Sequence, residues 1–334
     1  MKLKLYACCV PVRGAKRSLI QDLQRNTYKF IPNILCDILT QHKALDPEEL
    51  KLSYGFEYAE YIDAYLKFLL DNELGFWCED EALFTPIDQV WDSPSTITNA
   101  IIDSDSASAH NYASLAQELD TLGCKALQLR FYEACEQKTL QDILFTFSLS
   151  RLRSIELLIA YSPAIDLAWV KALCNANARI SSVIVHSAPA KSEEIDETGV
   201  GLTFTTERIL NHSFCGVVDP AYFCNNADVF TESLQFNNCL NRKISVDVTG
   251  AIRNCPSLPV SFGNAAHASL QQAVASPAFR EVWSTTKDQV AVCRDCEFRY
   301  MCLDCRAHLQ DATDRLSKPA KCRYDPYLAQ WEQP

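Results

Sequence analysis

The sequence predicts an α/β chain assembled from three unlike parts: an N-terminal winged-helix-like module, a partial or degenerate (βα) barrel-like sheet, and a cysteine-rich C-terminal domain. Three observations predict it. Short strand-like runs precede amphipathic helices in the first 90 residues. Strands and helices then alternate at the spacing of a parallel sheet. Finally, seven cysteines fall in three clusters between residues 239 and 322. A length of 334 residues suits two or three domains.

In residues 1–90, KLYACCVPV, RSLIQDL and TYKFIP read as strands, with turn residues Arg13–Gly14 and Arg25–Asn26 between them. NILCDILTQH places Ile34, Leu35, Ile38 and Leu39 at helical spacing. Pro47, Glu48 and Glu49 open a second helix, acidic groups lying near the positive end of its dipole. YIDAYLKFLLDNE forms a longer helix stopped at Gly75, and FWCEDEALFTPI reads as a closing hairpin or wing. In peptide-modifying systems such modules bind a precursor by adding a strand to an exposed edge. A plain packing domain is the alternative.

Residues 91–120 are rich in Ser and Asp and read as a linker or irregular segment. Across 121–234 the strands KALQLRF, SIELLIAYS and SSVIVHSAP alternate with the helices LQDILFTFSLSRL and DLAWVKALCNANA, and GLTFTTERI offers one more strand. Three or four βα units are too few for an eight-unit barrel. From 235 to 334 regular patterns fade, apart from one helical region in ASLQQAVASPAFREVW.

The net charge of -11 argues against a general nucleic-acid binder, which shows a basic face. No run approaches the roughly 18 apolar residues of a membrane span. The start, MKLKLYACCVPVRGAKR, breaks its short apolar run at Pro11, and Arg13, Lys16 and Arg17 follow it, an order unlike an export signal. A cytoplasmic location is expected. There the 16 cysteines stay reduced, and clustered thiols bind metal more often than they pair.

The central run VCRDCEFRYMCLDCR spaces Cys293, Cys296, Cys302 and Cys305 as C-x2-C-x5-C-x2-C. Upstream, ten residues separate Cys239 from Gly250 and four separate Gly250 from Cys255; Cys322 stands downstream. Residues 240–254 read as a hairpin with Gly250 near its turn, so Cys239 and Cys255 would meet at its open end. Thiolates suit soft or borderline metals, and iron–sulfur clusters take four. Seven thiols are too many for one tetrahedral zinc and suit two centres. Zinc remains the alternative, because CxxC pairs are common zinc ligands.

The order C-x10-G-x4-C, C-x2-C-x5-C, a further Cys and a distal Cys resembles the SPASM domain, which carries auxiliary 4Fe–4S clusters beside radical-SAM barrels. RKISVDVTGAIRNCPS, VCRDCEFRYMCLDCRA and KPAKCRYDPY, with the N-terminal YACCVPVRGAKRSLIQDLQ and FIPN, are similar to the SPASM peptide maturases of grasp-with-spasm systems. The resemblance implies two 4Fe–4S clusters. One would be held by Cys293, Cys296, Cys302 and Cys322, the other by Cys239, Cys255 and Cys305, with Cys215 or Cys224 or an open iron completing it. The family leaves three residues before the last cysteine of the central run, whereas this chain leaves two. The resemblance also implies partners: a ribosomally made precursor peptide and an ATP-grasp ligase. Radical-SAM enzymes hold their SAM cluster with Cys-x3-Cys-x2-Cys, and this sequence has no such triplet. Reductive cleavage of SAM by this chain alone is not expected. Two further roles are therefore open: a non-catalytic adaptor or electron carrier for a partner enzyme, and a zinc-stabilised interaction protein.

Other residues read more plainly. Cys8 and Cys9 are expected as strand residues, and Cys36, Cys78, Cys135 and Cys174 as packing residues. His186, ending a strand, reads as a structural histidine, and His308 as solvent-facing. The aromatics of Glu297–Phe298–Arg299–Tyr300 would cover a cluster and tune it. Asp325–Pro326–Tyr327 reads as a turn fixing Cys322.

Overall fold

The computed structural model describes residues 1–303 and 305–332. It divides into two compact units: Met1–Asp92 with Val217–Asn238 and Thr285–Pro334, and Ser93–Gly216 with Cys239–Ser284. The stretch 235–334, expected as one C-terminal domain, is therefore shared between the units.

The first unit begins with β1 (Lys2–Leu5), β2 (Cys9–Val12), β3 (Ser18–Asp22) and β4 (Thr27–Ile31). KLYACCVPV is thus two strands, broken at a turn where Cys9 N–H donates to the Tyr6 carbonyl. β2, β3 and β4 form an antiparallel sheet with β3 in the middle, which is why all five of its residues are buried. Helix α1 (Asn33–Gln41) buries Leu35, Cys36, Ile38 and Leu39, the stripe its spacing foretold. Helix α2 (Pro47–Tyr54) starts where the Asp46 carboxylate accepts from the amides of Glu48 and Glu49, and Pro47 fits the first turn. Helix α3 (Ala59–Asp71) turns Ile62, Leu66 and Leu69 to the same core. β5 (Gly75–Cys78) pairs antiparallel with β1, so FWCEDEALFTPI, expected as a hairpin or wing, holds one strand and a short helical turn at Glu81–Leu83.

The second unit is built on one eight-stranded sheet. Its strands are β6 (Asn99–Ser104), β7 (Ala126–Phe131), β8 (Ser154–Ala160), β9 (Ile180–His186), β10 (Ser192–Ile195), β11 (Gly201–Phe204), β12 (Lys243–Val246) and β13 (Ile252–Arg253). They lie in the order β10-β11-β9-β8-β7-β6-β12-β13. The six central strands run parallel, and β10 and β13 close the ends antiparallel. Helices α4 (Tyr112–Thr121), α5 (Gln137–Thr146) and α6 (Leu167–Ala176) make the crossovers between β6, β7, β8 and β9. The four neighbouring strands follow chain order, the βα repeat read from sequence. Segment 91–120 is no linker, since it supplies β6 and α4. Its polar residues hid the strand: Asp103 and Ser104 end β6 yet are buried with Ile101 and Ile102.

Helix α7 (Ala227–Gln235), β14 (Tyr324–Asp325) and β15 (Gln330–Trp331) belong to the first unit. There Val12, Leu19, Phe298, Met301 and Tyr324 form a small separate core. No helix among the described residues is long and apolar enough to cross a membrane.

Candidate metal centres

In the first unit, the chain around Cys293 is folded by tight local bonds. Val292 has φ +67°, and Cys293 N–H donates to the Ala291 carbonyl at 2.8 Å, closing a three-residue γ-turn. A β-branched residue at positive φ is strained, and such strain collects at functional sites. Cys296 N–H then donates to the Cys293 carbonyl and Cys302 N–H to the Phe298 carbonyl, each at 3.0 Å. Cys322 arrives from further along the chain and pairs by a β-bridge with Val218. Asp325 Oδ1 accepts from the amides of Tyr327 and Leu328 and holds the turn between β14 and β15.

These local folds bring Cys293, Cys296, Cys302 and Cys322 to one cavity, whose walls include Phe223 and Phe298. Cys305 is not among the residues lining it; it is half-buried beside Asp304, which lies outside the described residues. Burial pushes the Cys296 thiol well above its ordinary value, and the neighbouring Cys302 and Cys293 add to the shift. Metal binding there must therefore displace the Cys296 proton.

The second group lies in the second unit. β12 and β13 form a hairpin in which Ser245 faces Arg253 and Val246 faces Ile252. Gly250 turns it at φ +83°, the left-handed region that favours glycine, and a Cβ there would lie 2.9 Å from Asn264 Oδ1. Asp247 Oδ1 accepts from the amides of Thr249 and Ala251, fixing the turn. Cys239 and Cys255 flank the open end. Lys243 Nζ donates to Cys239 Sγ at 3.5 Å. Burial pushes the Cys255 thiol up to about 11; Lys243 pulls it down, and Cys239 and Cys215 push it up. The place of Cys305 in this set rests on the family resemblance alone.

Donor spacing bears on which metal fits. A tetrahedral zinc holds its sulfurs roughly 3.8 Å apart, from Zn–S bonds near 2.3 Å. Among the described residues, the one trio whose donor atoms all lie within 4.8 Å of one another is Cys8, Cys9 and Asp22. Cys293, Cys296, Cys302 and Cys322 instead share the walled cavity of the first group. The Cys8–Cys9–Asp22 trio has its carboxylate already taken: Oδ1 accepts from the amides of Gln24 and Arg25, and Oδ2 pairs with Arg25 at 3.3 Å.

The other histidines and cysteines sort by contact. His186 is buried, with Nε2 3.1 Å from the Phe131 carbonyl and Nδ1 3.1 Å from Ser187 Oγ. His308, expected to face solvent, is half-buried. Cys36 and Cys174 are buried in apolar cores and Cys78 is buried, while Cys135 is half-buried.

Sequence reasoning missed a buried polar cluster at the ends of β6 and β7. Asp103 Oδ2 accepts from Tyr132 Oη at 2.8 Å, and Oδ1 lies 3.8 Å from Arg130 Nη1. The signal was an arginine inside the apolar strand ALQLRF. Burial raises the Asp103 carboxyl to about 6, with Asp247 adding, against the pull of Arg130 and Tyr132. The folded state then holds a proton that the unfolded chain has lost, so stability falls as pH rises from about 4 to about 6. Urea midpoints should show Asp103→Asn gaining on the wild type by about 2–3 kcal/mol across that window. A constant gap between the two proteins would contradict the raised pKa.

Comparison with known proteins bears on the second group first. The profile of SPASM, an iron–sulfur cluster-binding domain, matches residues 238–297. That span holds Cys239, Gly250, Cys255, Cys293 and Cys296, while Cys302, Cys305 and Cys322 lie past its end. No curated protein matches the chain. Among solved structures, Streptococcus suis SuiB bound to S-adenosylmethionine is similar at 10% identity and a TM-score of 0.35, over 95% of this chain and 98% of that one. SuiB bound to precursor peptide SuiA gives 10% identity and a TM-score of 0.34, over 97% and 100% of the two chains.

Proposed function

We propose that this chain is an iron–sulfur protein in the maturation of a ribosomally synthesised peptide, acting with an ATP-grasp ligase. One observation carries the reading: four thiols at the SPASM spacing line one cavity in a chain whose residues 238–297 match that iron–sulfur domain. Cys293, Cys296, Cys302 and Cys322 would hold one 4Fe–4S cluster. Cys239 and Cys255 would belong to the other. Such clusters supply one-electron chemistry, and the surrounding hydrogen bonds and burial set their potential. The middle sheet is read as a degenerate radical-SAM barrel, because its βα repeat follows chain order but the sequence carries no SAM-cluster triplet.

The N-terminal module is the proposed peptide reader. β1 is paired with β5 on one side; on the other, Leu3 exchanges both backbone hydrogen bonds with Leu45. A broad groove runs along this edge, with Tyr6, Phe76 and Phe84 on its wall and Lys4, His42 and Lys43 among its polar groups. Such a wall suits an extended peptide with apolar and acidic side chains.

Fluorescence anisotropy with a labelled precursor peptide, sought among short reading frames next to the coding sequence, tests the reading. Micromolar or tighter binding is expected, weakened at least tenfold in Lys4→Glu/Lys43→Glu, about 1.4 kcal/mol. Absence of binding at these concentrations overturns it. The missing triplet favours a second reading, an adaptor or electron carrier. A mass change in the peptide produced by this chain alone would exclude that reading.

A further inference from the structure

We propose that Cys215 is a ligand of the second centre, joining Cys239 and Cys255. This rests on the iron–sulfur reading above. The segment before Cys215 is a helical turn, His212–Phe214, capped by Asn211, whose side chain accepts from Ser213 N–H. It is tied to the hairpin beyond Cys255 by two contacts with Ser257. His212 Nδ1 lies 3.0 Å from Ser257 Oγ, and that hydroxyl lies 3.3 Å from the His212 carbonyl. Ser257 is two residues past Cys255, so the clamp sets the Cys215 loop beside the Cys255 loop.

Two cations frame the same thiols. Arg130, 3% exposed, sends Nη2 to Cys215 Sγ at 3.9 Å, and its guanidinium carbon sits 5.2 Å from the Phe214 ring centroid. Lys243 bonds Cys239 Sγ and lies within electrostatic reach of Cys255 and Cys215. Among the described residues Lys243 has no carboxylate partner, and Arg130 Nη1 makes no hydrogen bond. Arg130 has Asp103 Oδ1 at 3.8 Å, whereas half-buried Lys243, among the described residues, lacks an acidic counter-ion. A thiolate-bound cluster is anionic and supplies it, and donors to its sulfurs raise its potential.

Cys224, the other candidate for this position, is placed differently. It stands in the first unit, where its N–H donates to the Met301 carbonyl at 3.0 Å. Its Sγ accepts from Asn226 Nδ2 at 3.2 Å, just before α7. Its sulfur therefore serves the start of that helix.

The test is anaerobic reconstitution of the full chain as wild type, Cys215→Ser, Cys215→Ala and Cys224→Ala. Iron and sulfide are counted, and the EPR spectrum is recorded after reduction. Cys215→Ser and Cys215→Ala should each lose or shift one of the two cluster signals, and Cys224→Ala should keep both. Circular dichroism matching the wild type separates ligand loss from misfolding, and the serine variant preserves volume. If both signals in the Cys215 variants superimpose on the wild type, Cys215 is not a ligand. A wild-type chain that takes up no iron overturns the iron–sulfur reading itself, which is a separate failure.

Discussion

Glu297→Ala should lower the stability of the holo-protein by about 3 kcal/mol, the low end of what removing one partner of a buried ion pair costs. Glu297 is fully buried between Cys296 and Phe298. Its Oε1 accepts from Arg17 Nε at 2.8 Å and from Tyr324 Oη at 2.5 Å. Alanine would leave the guanidinium and the phenol without an acceptor and open a gap beneath Phe298. Arg17 is about one-third exposed and can regain water, which keeps the loss near the low end. Glu297→Gln preserves shape and one acceptor, so about 1–2 kcal/mol is expected. The loss should reach the metal site, because the same carboxylate ties the β2–β3 turn to the cysteine run. Ala15 N–H donates to the Asp295 carbonyl at 2.7 Å, and a Cβ on Gly14 would lie 2.9 Å from that of Glu297. Urea titration gives the stability, and iron release to a chelator should be several-fold faster in Glu297→Ala. An alanine variant within 0.5 kcal/mol of the wild type would show that the network is not what holds this turn.

The same network shows what the sequence could and could not disclose. The cysteine spacing is local, so the hairpin at Gly250 and the Cys293–Cys296 turn were readable from order alone. The helices of the first module were readable too, because Leu35, Ile38 and Leu39 repeat at 3.6 residues. Glu297 was invisible, since its partner Arg17 stands 280 residues away and neither residue belongs to a periodic pattern. Strand β6 was missed because its last residues are polar, and their burial depends on Arg130 and Tyr132 from β7 and the residue after it. Lys243 gave no sign either. A lysine opening a strand normally faces water, and only the closed hairpin sets it against thiols. Long-range polar pairing was the part hidden from sequence reasoning.

The cysteine run makes the second large expectation. Residues 285–332 contain few regular elements: β14 and β15 are two residues each, and the apolar core they share has five fully buried side chains. A segment this irregular has little of its own to offset the entropy of ordering it. Metal ligation supplies that free energy in small metallo-domains, about 10–16 kcal/mol for structural zinc. Cys296→Ser and Cys322→Ser should therefore each remove the same cluster signal and roughly half of the bound iron. Both should expose the segment to protease at least tenfold faster than wild type. Cys305→Ser should behave differently, because Cys305 does not line the shared cavity; the first cluster's signal should survive it. Iron and sulfide in about equal amounts are expected from the wild type, and zinc alone would replace the cluster by a different centre. Retention of the signal in Cys322→Ser, or its loss in Cys305→Ser, would overturn this division of the thiols. The expectation for Cys322 rests on its place in the cavity wall, to which the bridge with Val218 brings it from outside the central run.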